Sequence, residues 1–367
     1  MPDPRVSKLA QVLVQYSLDL QPGELFSLRT SPLAEELSLE VYKEAVKAGA
    51  HITVQNSLPG ADEAFYKFAS QAQLEHISPV RKLVMETFDA TLYIEAEHNT
   101  RSLSGIDSAK ISQVSRANAE LTQLFFERAA RKEVKWSLTV YPTHAMAQEA
   151  DMSLSDYQDF VYGAGMLHLD DPVAFWKNEG VRQREIISWL QGHDQITLKG
   201  ENVDLAFSIE DRTFEPADGK YNFPDGEIFT GPVEDSVEGY IRFSYPAIYS
   251  GQEIEDIELW FEKGKVVKEQ ASKNADLLSK MLDTDQGARY LGEWGIGTNY
   301  GIQRFTKNML FDEKIGGTIH LAVGSGYPET GSQNKSGIHW DMLCDMKNSQ
   351  VWVDGELFYK DGGFMVD

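Results

Sequence analysis

Alternating strand-like and helical patterns in the first 140 residues constrain the fold more than any other feature of this chain. Short apolar runs typical of strands lie at residues 25–28, 51–54, 90–95 and 135–140, and patterns with helical spacing lie between them. Strands that are separated by helices pair as a parallel or mostly parallel sheet with helices on both faces. The sequence therefore predicts an N-terminal α/β domain with a mostly parallel sheet.

The second half of the chain has a different pattern. From about residue 192, short runs rich in β-branched and aromatic residues are separated by Gly, Asn and Asp, for example at 195–199, 204–209, 239–245 and 265–270. Such runs are typical of strands joined by turns. Since a chain of 367 residues is too long for one ordinary domain, we expect two. These are an α/β domain, 1–191, and a β-rich (α+β) domain, 192–367.

Charge and loop composition exclude some functions. The chain has 57 acidic and 34 basic residues, a formal net charge of −23, which argues against nucleic-acid binding because that depends on cationic patches. An acidic surface could steer cations or peptide amino termini towards the protein, or it could serve solubility alone. The loops of the first half lack the glycine motifs that bind nucleotide phosphates. We therefore predict neither nucleic acid nor a nucleotide as a partner.

Cysteine content and hydropathy suggest the compartment. The only cysteine, Cys344, cannot form an internal disulfide, and a structural zinc site would need more cysteines. The first 20 residues lack the apolar core of a signal peptide. No segment reaches the roughly 18 uninterrupted apolar residues that a membrane span requires. We expect a cytoplasmic protein that does not bind membranes.

Carboxylates and imidazoles gather in the C-terminal strand-like segments. In His339-Trp340-Asp341, residues two apart in a strand share a face, so His339 and Asp341 could reach one cation together. His320 lies opposite the apolar face formed by Ile319 and its neighbours. A buried histidine that hydrogen-bonds a backbone carbonyl is the alternative for each. The combination with acidic residues favours a site for one or two divalent cations.

Two glutamates have unusual neighbours. Glu227 and Glu293 lie among glycines and apolar or aromatic residues, which implies burial that a lone carboxylate would resist. A bound cation would remove that penalty. For Glu227 alone, a turn position after Pro-Asp-Gly is the alternative. Gly295, Gly297 and Gly301 lack the spacing of a phosphate-binding loop.

Long segments resemble the aminopeptidase T and aminopeptidase S family of dinuclear metallo-aminopeptidases, the thermophilic metalloproteases. They are FPDGEIFTGP at 223–232, LGEWGIGTN at 291–299, LFDEKIGGTIHLAVGSGYPET at 310–330 and GIHWDMLCDM at 337–346. Segments of the first half, such as LQPGELFSLRT at 20–30, match as well. The resemblance therefore spans nearly the whole chain.

The resemblance implies a specific site. Its metal ligands would be Glu227, Glu293, His320, His339 and Asp341. They would hold two divalent cations (zinc, cobalt, manganese or magnesium), with a glutamate between them. Glu313 is a further ligand or a support for one. Glu293 would act as the catalytic base, and Tyr327 would stabilise the oxyanion. The family's usual homodimer and a peptide substrate with a free N-terminus are the implied partners.

Three functions follow from such a site. The first is hydrolysis of N-terminal residues from peptides by metal-activated water. The second is hydrolysis of amides or esters that are not peptides, because scaffold and metal do not fix the substrate. The third is binding of peptides or metal without turnover. Tyr327 favours catalysis, since binding alone would not need it.

Overall fold

The computed structural model describes residues 3–249 and 252–366. In these residues the α-helices are α1 (Pro4–Val12), α2 (Glu35–Lys47), α3 (Ala61–Phe68), α4 (Gln71–Leu74), α5 (Pro79–Thr87), α6 (Ser108–Ala117), α7 (Ala119–Ala130), α8 (His144–Glu149), α9 (Leu154–Ala164), α10 (Pro172–Leu190), α11 (Ala275–Leu282) and α12 (Met309–Asp312). A π-helix, Leu13–Ser17, continues α1, and 3-10 helices lie at Pro32–Ala34 and Pro328–Thr330.

The strands alternate with these helices at first and then follow one another directly. They are β1 (Leu25–Thr30), β2 (His51–Asn56), β3 (Ala90–Glu95), β4 (Lys135–Val140), β5 (Gln195–Lys199), β6 (Val203–Ser208), β7 (Glu215–Ala217), β8 (Asn222–Phe223), β9 (Glu227–Thr230), β10 (Glu238–Arg242), β11 (Ala247–Tyr249), β12 (Gln252–Ile254), β13 (Glu258–Glu262), β14 (Lys265–Gln270), β15 (Leu291–Gly297), β16 (Thr318–Gly324), β17 (His339–Asp345), β18 (Gln350–Val353), β19 (Glu356–Lys360) and β20 (Gly363–Phe364).

Contacts between residues divide the chain into two compact units. Unit 1 is Met1–Phe175 with Gly219–Pro224, and unit 2 is Trp176–Asp218 with Asp225–Asp367. The expected domains, 1–191 and 192–367, divide the chain at a single point instead. The boundary between residues 191 and 192 stays a prediction.

Unit 1 contains a five-stranded sheet in the order β2-β1-β3-β4-β8. Every pairing in it is parallel, which confirms the predicted α/β domain. Alternate residues of β3, such as Leu92, are fully buried. Helix α2 crosses between β1 and β2. It has two glutamates in its first turn and Lys47 in its last, which suits the helix dipole, and Gly49 follows it at a φ of +81°.

Unit 2 is built from antiparallel sheets, as predicted for the β-rich half. An eight-stranded sheet has the order β14-β13-β10-β6-β5-β18-β19-β20, and a five-stranded sheet has the order β17-β16-β15-β9-β7. Leu205 and Leu259 of the first sheet and Trp294 and Leu321 of the second belong to one buried apolar cluster. Removing this apolar surface from water is the main stabilising contribution to the unit.

Strand β17 carries the single cysteine. Cys344 is fully buried within the apolar cluster, opposite Ile319 of β16. Burial raises the pKa of its thiol to about 12. No helix of the described residues combines the length and the apolar character needed to cross a bilayer.

Candidate metal centre

Four neighbouring strands of the five-stranded sheet in unit 2 supply the predicted ligands. The positions are Glu227 at the start of β9, Glu293 in β15, His320 in β16, and His339 and Asp341 in β17. The strand order places β9, β15, β16 and β17 side by side. Residues that are far apart in the sequence therefore meet because their strands pair. Glu227 begins a buried strand. It therefore does not occupy the turn position that was the alternative explanation for this residue.

Glycine opposite His320 makes room for the imidazole. Gly295 of β15 pairs with His320 of β16, and a Cβ at Gly295 would lie 2.0 Å from His320 Cε1. The ring therefore lies across the neighbouring strand, where any other residue would displace it. As the sequence predicted, Ile319 and Leu321 point into the apolar cluster on the other face.

Glu293 lies between the two histidines. Its Oε1 is 3.6 Å from His320 Nε2, and its Oε2 is 3.0 Å from His339 Nε2. Glu227 Oε2 lies 3.3 Å from His320 Nε2, and Asp341 Oδ1 lies 3.6 Å from His339 Nε2. Two groups of potential ligands result, Glu227–Glu293–His320 and Glu293–His339–Asp341, and in each the ligand atoms lie within 4.8 Å of one another.

Some buried polar atoms at this site make no hydrogen bond. Among the described residues, these include Glu227 Oε2, His320 Nδ1 and Asp341 Oδ1. A buried carboxylate oxygen without a partner is costly, and a bound cation would supply one. Mixed carboxylate and imidazole donors suit zinc, cobalt and manganese. The residues present therefore fit a divalent cation.

A backbone contact orients His339. Its Nδ1 lies 2.7 Å from the carbonyl oxygen of Ser325. Because a carbonyl only accepts hydrogen bonds, Nδ1 carries the hydrogen and donates it. The other ring nitrogen, Nε2, then faces Glu293 and Asp341. Such a hydrogen bond is the usual support of a histidine that binds a metal.

The electrostatics of the cluster favour positive charge. Burial disfavours charged imidazoles, but hydrogen bonds and attraction from the carboxylates raise the pKa of His320 to about 9 and that of His339 to about 11. Burial also opposes ionisation of Glu293, yet hydrogen bonds with both histidines lower its pKa to about 2. Burial raises the pKa of Glu227 to about 8. A cation would meet the same demand for positive charge and leave the imidazoles neutral.

Lys314, which the sequence reading missed, lies at the Glu227 end. Its side chain is 1% exposed, its Nζ contacts Glu227 Oε1 and Glu313 Oε1, and it lies 3.8 Å from Asp225 Oδ1. Burial would lower the pKa of Lys314, but attraction to Glu227 and Glu313 raises it well above the usual value. One feature of the sequence could have indicated Lys314, namely that it follows Glu313 within a segment that carries the family resemblance.

The remaining predicted residues lie beside the two groups. Glu313 belongs to neither group and pairs with Lys314 instead. The Tyr327 ring lies 5.0 Å from the His339 ring and 5.5 Å from the Phe229 ring, measured between centroids, and 39% of the residue is exposed. Burial of part of the side chain raises the pKa of its hydroxyl. The roles of both residues stay predictions.

Known proteins resemble the chain along its whole length. The family model described as thermophilic metalloprotease (M29) matches residues 3–364. Aminopeptidase 2 of Geobacillus stearothermophilus is 26% identical over 382 residues, which cover 95% of this chain and 90% of that protein. Aminopeptidase AmpS of Bacillus subtilis is 24% identical, and 98% of each chain is covered.

Solved structures show the same fold. Wild-type AmpT from Thermus thermophilus matches with a TM-score of 0.86 at 22% identity, over 99% of both chains. The 2,5-dihydroxypyridine dioxygenase of Pseudomonas putida matches with a TM-score of 0.56 at 13% identity, over 99% of this chain and 97% of that one. The predicted fold class is confirmed. A dioxygenase on this fold also shows that the fold alone does not fix the reaction.

Proposed function

The chain belongs to the thermophilic metalloprotease family M29, and on that premise we propose that it is a metal-dependent aminopeptidase that releases N-terminal residues from peptides. The observation that carries this proposal is the position of Glu293, whose two oxygens face one histidine each in two adjoining groups of ligands. Relatives that cover nearly the whole chain and are named aminopeptidases support it.

We assign the metal ligands to both groups. They are Glu227, Glu293, His320, His339 and Asp341. The family resemblance implies two cations, and the identity of the metal among zinc, cobalt, manganese and magnesium is part of the proposal. Divalent cations, when bound, supply Lewis acidity that makes water nucleophilic near neutral pH and polarises a carbonyl. Glu313 supports this set through Lys314, which contacts both Glu313 and Glu227.

The protein's own groups perform the proton transfer and stabilise the developing charge. Glu293 lies at the centre of the site, where its carboxylate receives the proton of the attacking water and passes it to the leaving amine. Tyr327 lies beside His339 on the more exposed side. Since the pKa of its hydroxyl is raised, Tyr327 stays protonated at neutral pH and donates a hydrogen bond to the oxyanion.

The acidic site also suits the substrate. A free α-amine has a pKa near 8 and is largely protonated at neutral pH, so carboxylates attract it. A homodimer would close one side of the cleft and restrict cleavage to chain ends. We place the enzyme in the cytoplasm.

A substrate panel tests the proposed function. The metal-loaded protein would be assayed with aminoacyl amides, peptides with a free N-terminus and the same peptides after N-acetylation. We expect cleavage only where the amine is free. Cleavage of acetylated peptides or simple esters would instead indicate the second kind of hydrolase. No turnover with any of the four metals would overturn the proposal and leave a binding protein.

A further inference from the structure

A cavity of about 320 Å³ lies within unit 1, between one face of the parallel sheet and the helices α5 and α7. The strand pairing defines this face, because Arg29 of β1 pairs with Tyr93 of β3, Tyr93 pairs with Leu138 of β4, and all three line the cavity. Val84 of α5 and Phe125 of α7 lie opposite the sheet. A cavity of about 150 Å³ is enough to hold benzene, so this one has room for a small organic molecule.

Helix α5 and its C-cap present one side to the cavity. Arg81, Val84, Met85 and Phe88 line it, and residues at this spacing lie on the same side of a helix. Arg128 of α7 is buried, and its guanidinium donates hydrogen bonds to the carbonyl oxygens of Met85 (2.8 Å) and Phe88 (3.0 Å). These hydrogen bonds fix the end of α5 against α7, so the helical wall of the cavity is held in place.

The lining of the cavity is mostly apolar and aromatic. Phe88, Tyr93 and Trp136 contribute aromatic rings. Two polar side chains of the sheet, Ser27 and Gln55, satisfy each other, since the Gln55 amide donates to the Ser27 hydroxyl (2.7 Å). Sites for small molecules are typically apolar with a few polar groups that orient the ligand. The lining therefore suits a ligand with an aromatic body.

Two arginines supply the charge of this cavity. Of the residues that line it, only Arg29 and Arg81 are exposed, so they lie where solvent reaches it. Neither guanidinium forms an ion pair with a carboxylate among the described residues, and that of Arg29 lies over the Tyr93 ring, 5.0 Å from its centroid. Burial of part of the Arg81 side chain and repulsion from Arg29 lower the pKa of Arg81. Two adjoining arginines without an acidic partner are a suitable site for an anion.

We propose that this cavity binds a small aromatic carboxylate, with its ring between the sheet and α5 and its carboxylate on the guanidinium groups of Arg29 and Arg81. The planar donor pair of a guanidinium matches the two oxygens of a carboxylate. A free amino acid fits less well, because its ammonium lies next to its carboxylate and would face two like charges. The inference concerns unit 1 and does not depend on the proposed function.

Calorimetry with 3-phenylpropionate tests the inference, since this compound has a ring and a carboxylate but no amine. The full-length, metal-loaded protein would be titrated, and we expect saturable binding of one molecule per chain with a Kd of about 1 mM or below. The amide 3-phenylpropionamide and the amino acid phenylalanine should each bind about 10-fold more weakly or worse, because the first lacks the negative charge and the second adds a positive one. Acetate, which lacks the ring, should not compete with 3-phenylpropionate.

Matched variants locate the ligand. Arg29→Gln and Arg81→Gln each remove one charge and should each weaken the binding of 3-phenylpropionate by about 10-fold or more. Arg116→Gln removes an exposed arginine of α6 that does not line the cavity, and this variant should bind like the parent protein. Val84→Phe keeps both charges but fills space between α5 and the sheet, so it should abolish binding.

Other outcomes would overturn the inference. Binding that the Arg29, Arg81 and Val84 variants all retain would place the ligand elsewhere, for example on the metal ions. Phenylalanine or the amide binding as tightly as the acid would exclude a carboxylate held by the arginines. If Val84→Phe does not fold, the two arginine variants decide, because both positions are exposed and tolerate glutamine. A protein that binds the acid but cleaves no peptide would overturn the proposed function alone.

Discussion

The parallel sheet of unit 1 and the smaller antiparallel sheet of unit 2 each have five strands, yet they bury different chemistry. In the parallel sheet, the buried residues are apolar or carry a hydroxyl, such as Leu28, Leu92 and Thr139. In the antiparallel sheet, every residue of β15 and β16 is buried, and Glu293 and His320 are among them. Burying ionisable groups costs several kcal/mol per ion unless they are paired. The antiparallel sheet of unit 2 therefore contains buried ionisable groups that need a partner of opposite charge, and the parallel sheet of unit 1 does not.

Replacing one histidine in each sheet should show most clearly that the activity depends on the antiparallel sheet and not on the parallel one. We expect His339→Ala to lower kcat/KM for a peptide by about 1,000-fold or more, on the order of 4 kcal/mol, because a ligand is lost. His51→Ala, at an exposed position of β2 in the parallel sheet, should keep full activity. Circular dichroism would verify that both variants fold. Full activity of metal-replete His339→Ala would contradict the site.

Removal of the metal should destabilise the antiparallel sheet selectively. We expect a chelator to lower the free energy of unfolding by about 3 to 4 kcal/mol relative to protein at saturating metal, since a cation that binds only the folded state stabilises it. Hydrogen exchange should increase in β9, β15, β16 and β17 and remain unchanged in β1, β3 and β4. An equal increase in both sheets would show that the cation is not localised as proposed.

A pair of glycine substitutions gives the smallest effect. In Gly295→Ala the new Cβ would press on the His320 ring, so we expect activity to fall by about 100-fold through misplacement of a ligand. In Gly163→Ala, within α9 of unit 1, nothing lies within 4 Å of the new Cβ. That variant should be as active as the parent and more stable by about 0.5 to 1 kcal/mol, which thermal unfolding would measure.

The sequence predicts unit 1 better than unit 2. Strands at 90–95 and 135–140 have their predicted bounds, because a local run of apolar residues is enough to define a buried strand. The apolar spacing of residues 111–131 predicts one continuous helix, and this is wrong at one point, since the helix is interrupted at Asn118. There the side-chain amide donates to the carbonyl oxygen of Val114, which ends α6 before α7 begins.

In unit 2 the strands that carry the site are harder to predict. The sequence does not predict strand β9, which begins at Glu227 and has only four residues, because the strand depends on pairing with nearby β7 and with β15, which lies far along the chain. By contrast, the two-residue period of a strand predicted correctly that His339 and Asp341 share a face. Periodicity gives the face of a residue, but only pairing gives its neighbours.

Lys314 illustrates the limit of residue statistics. A lysine is almost never fully buried unless it is paired, and its partners are not visible in the sequence. The resemblance implied that Glu313 is a further ligand or a support for one, and the structure places it against that lysine. The resemblance thus pointed to the segment, whereas the pairing of Lys314 with Glu227 and Glu313 required the structure.

The position of Cys344 gives the molecule an internal reporter. It lies in the same strand as His339 and Asp341, has no exposed surface, and its thiol is unionised at neutral pH. A thiolate is the form that attacks sulfhydryl reagents, so the folded protein should resist alkylation. Each labelling event then records an opening of β17. With one cysteine in the whole sequence, the rate of labelling follows that strand directly, with no competing signal.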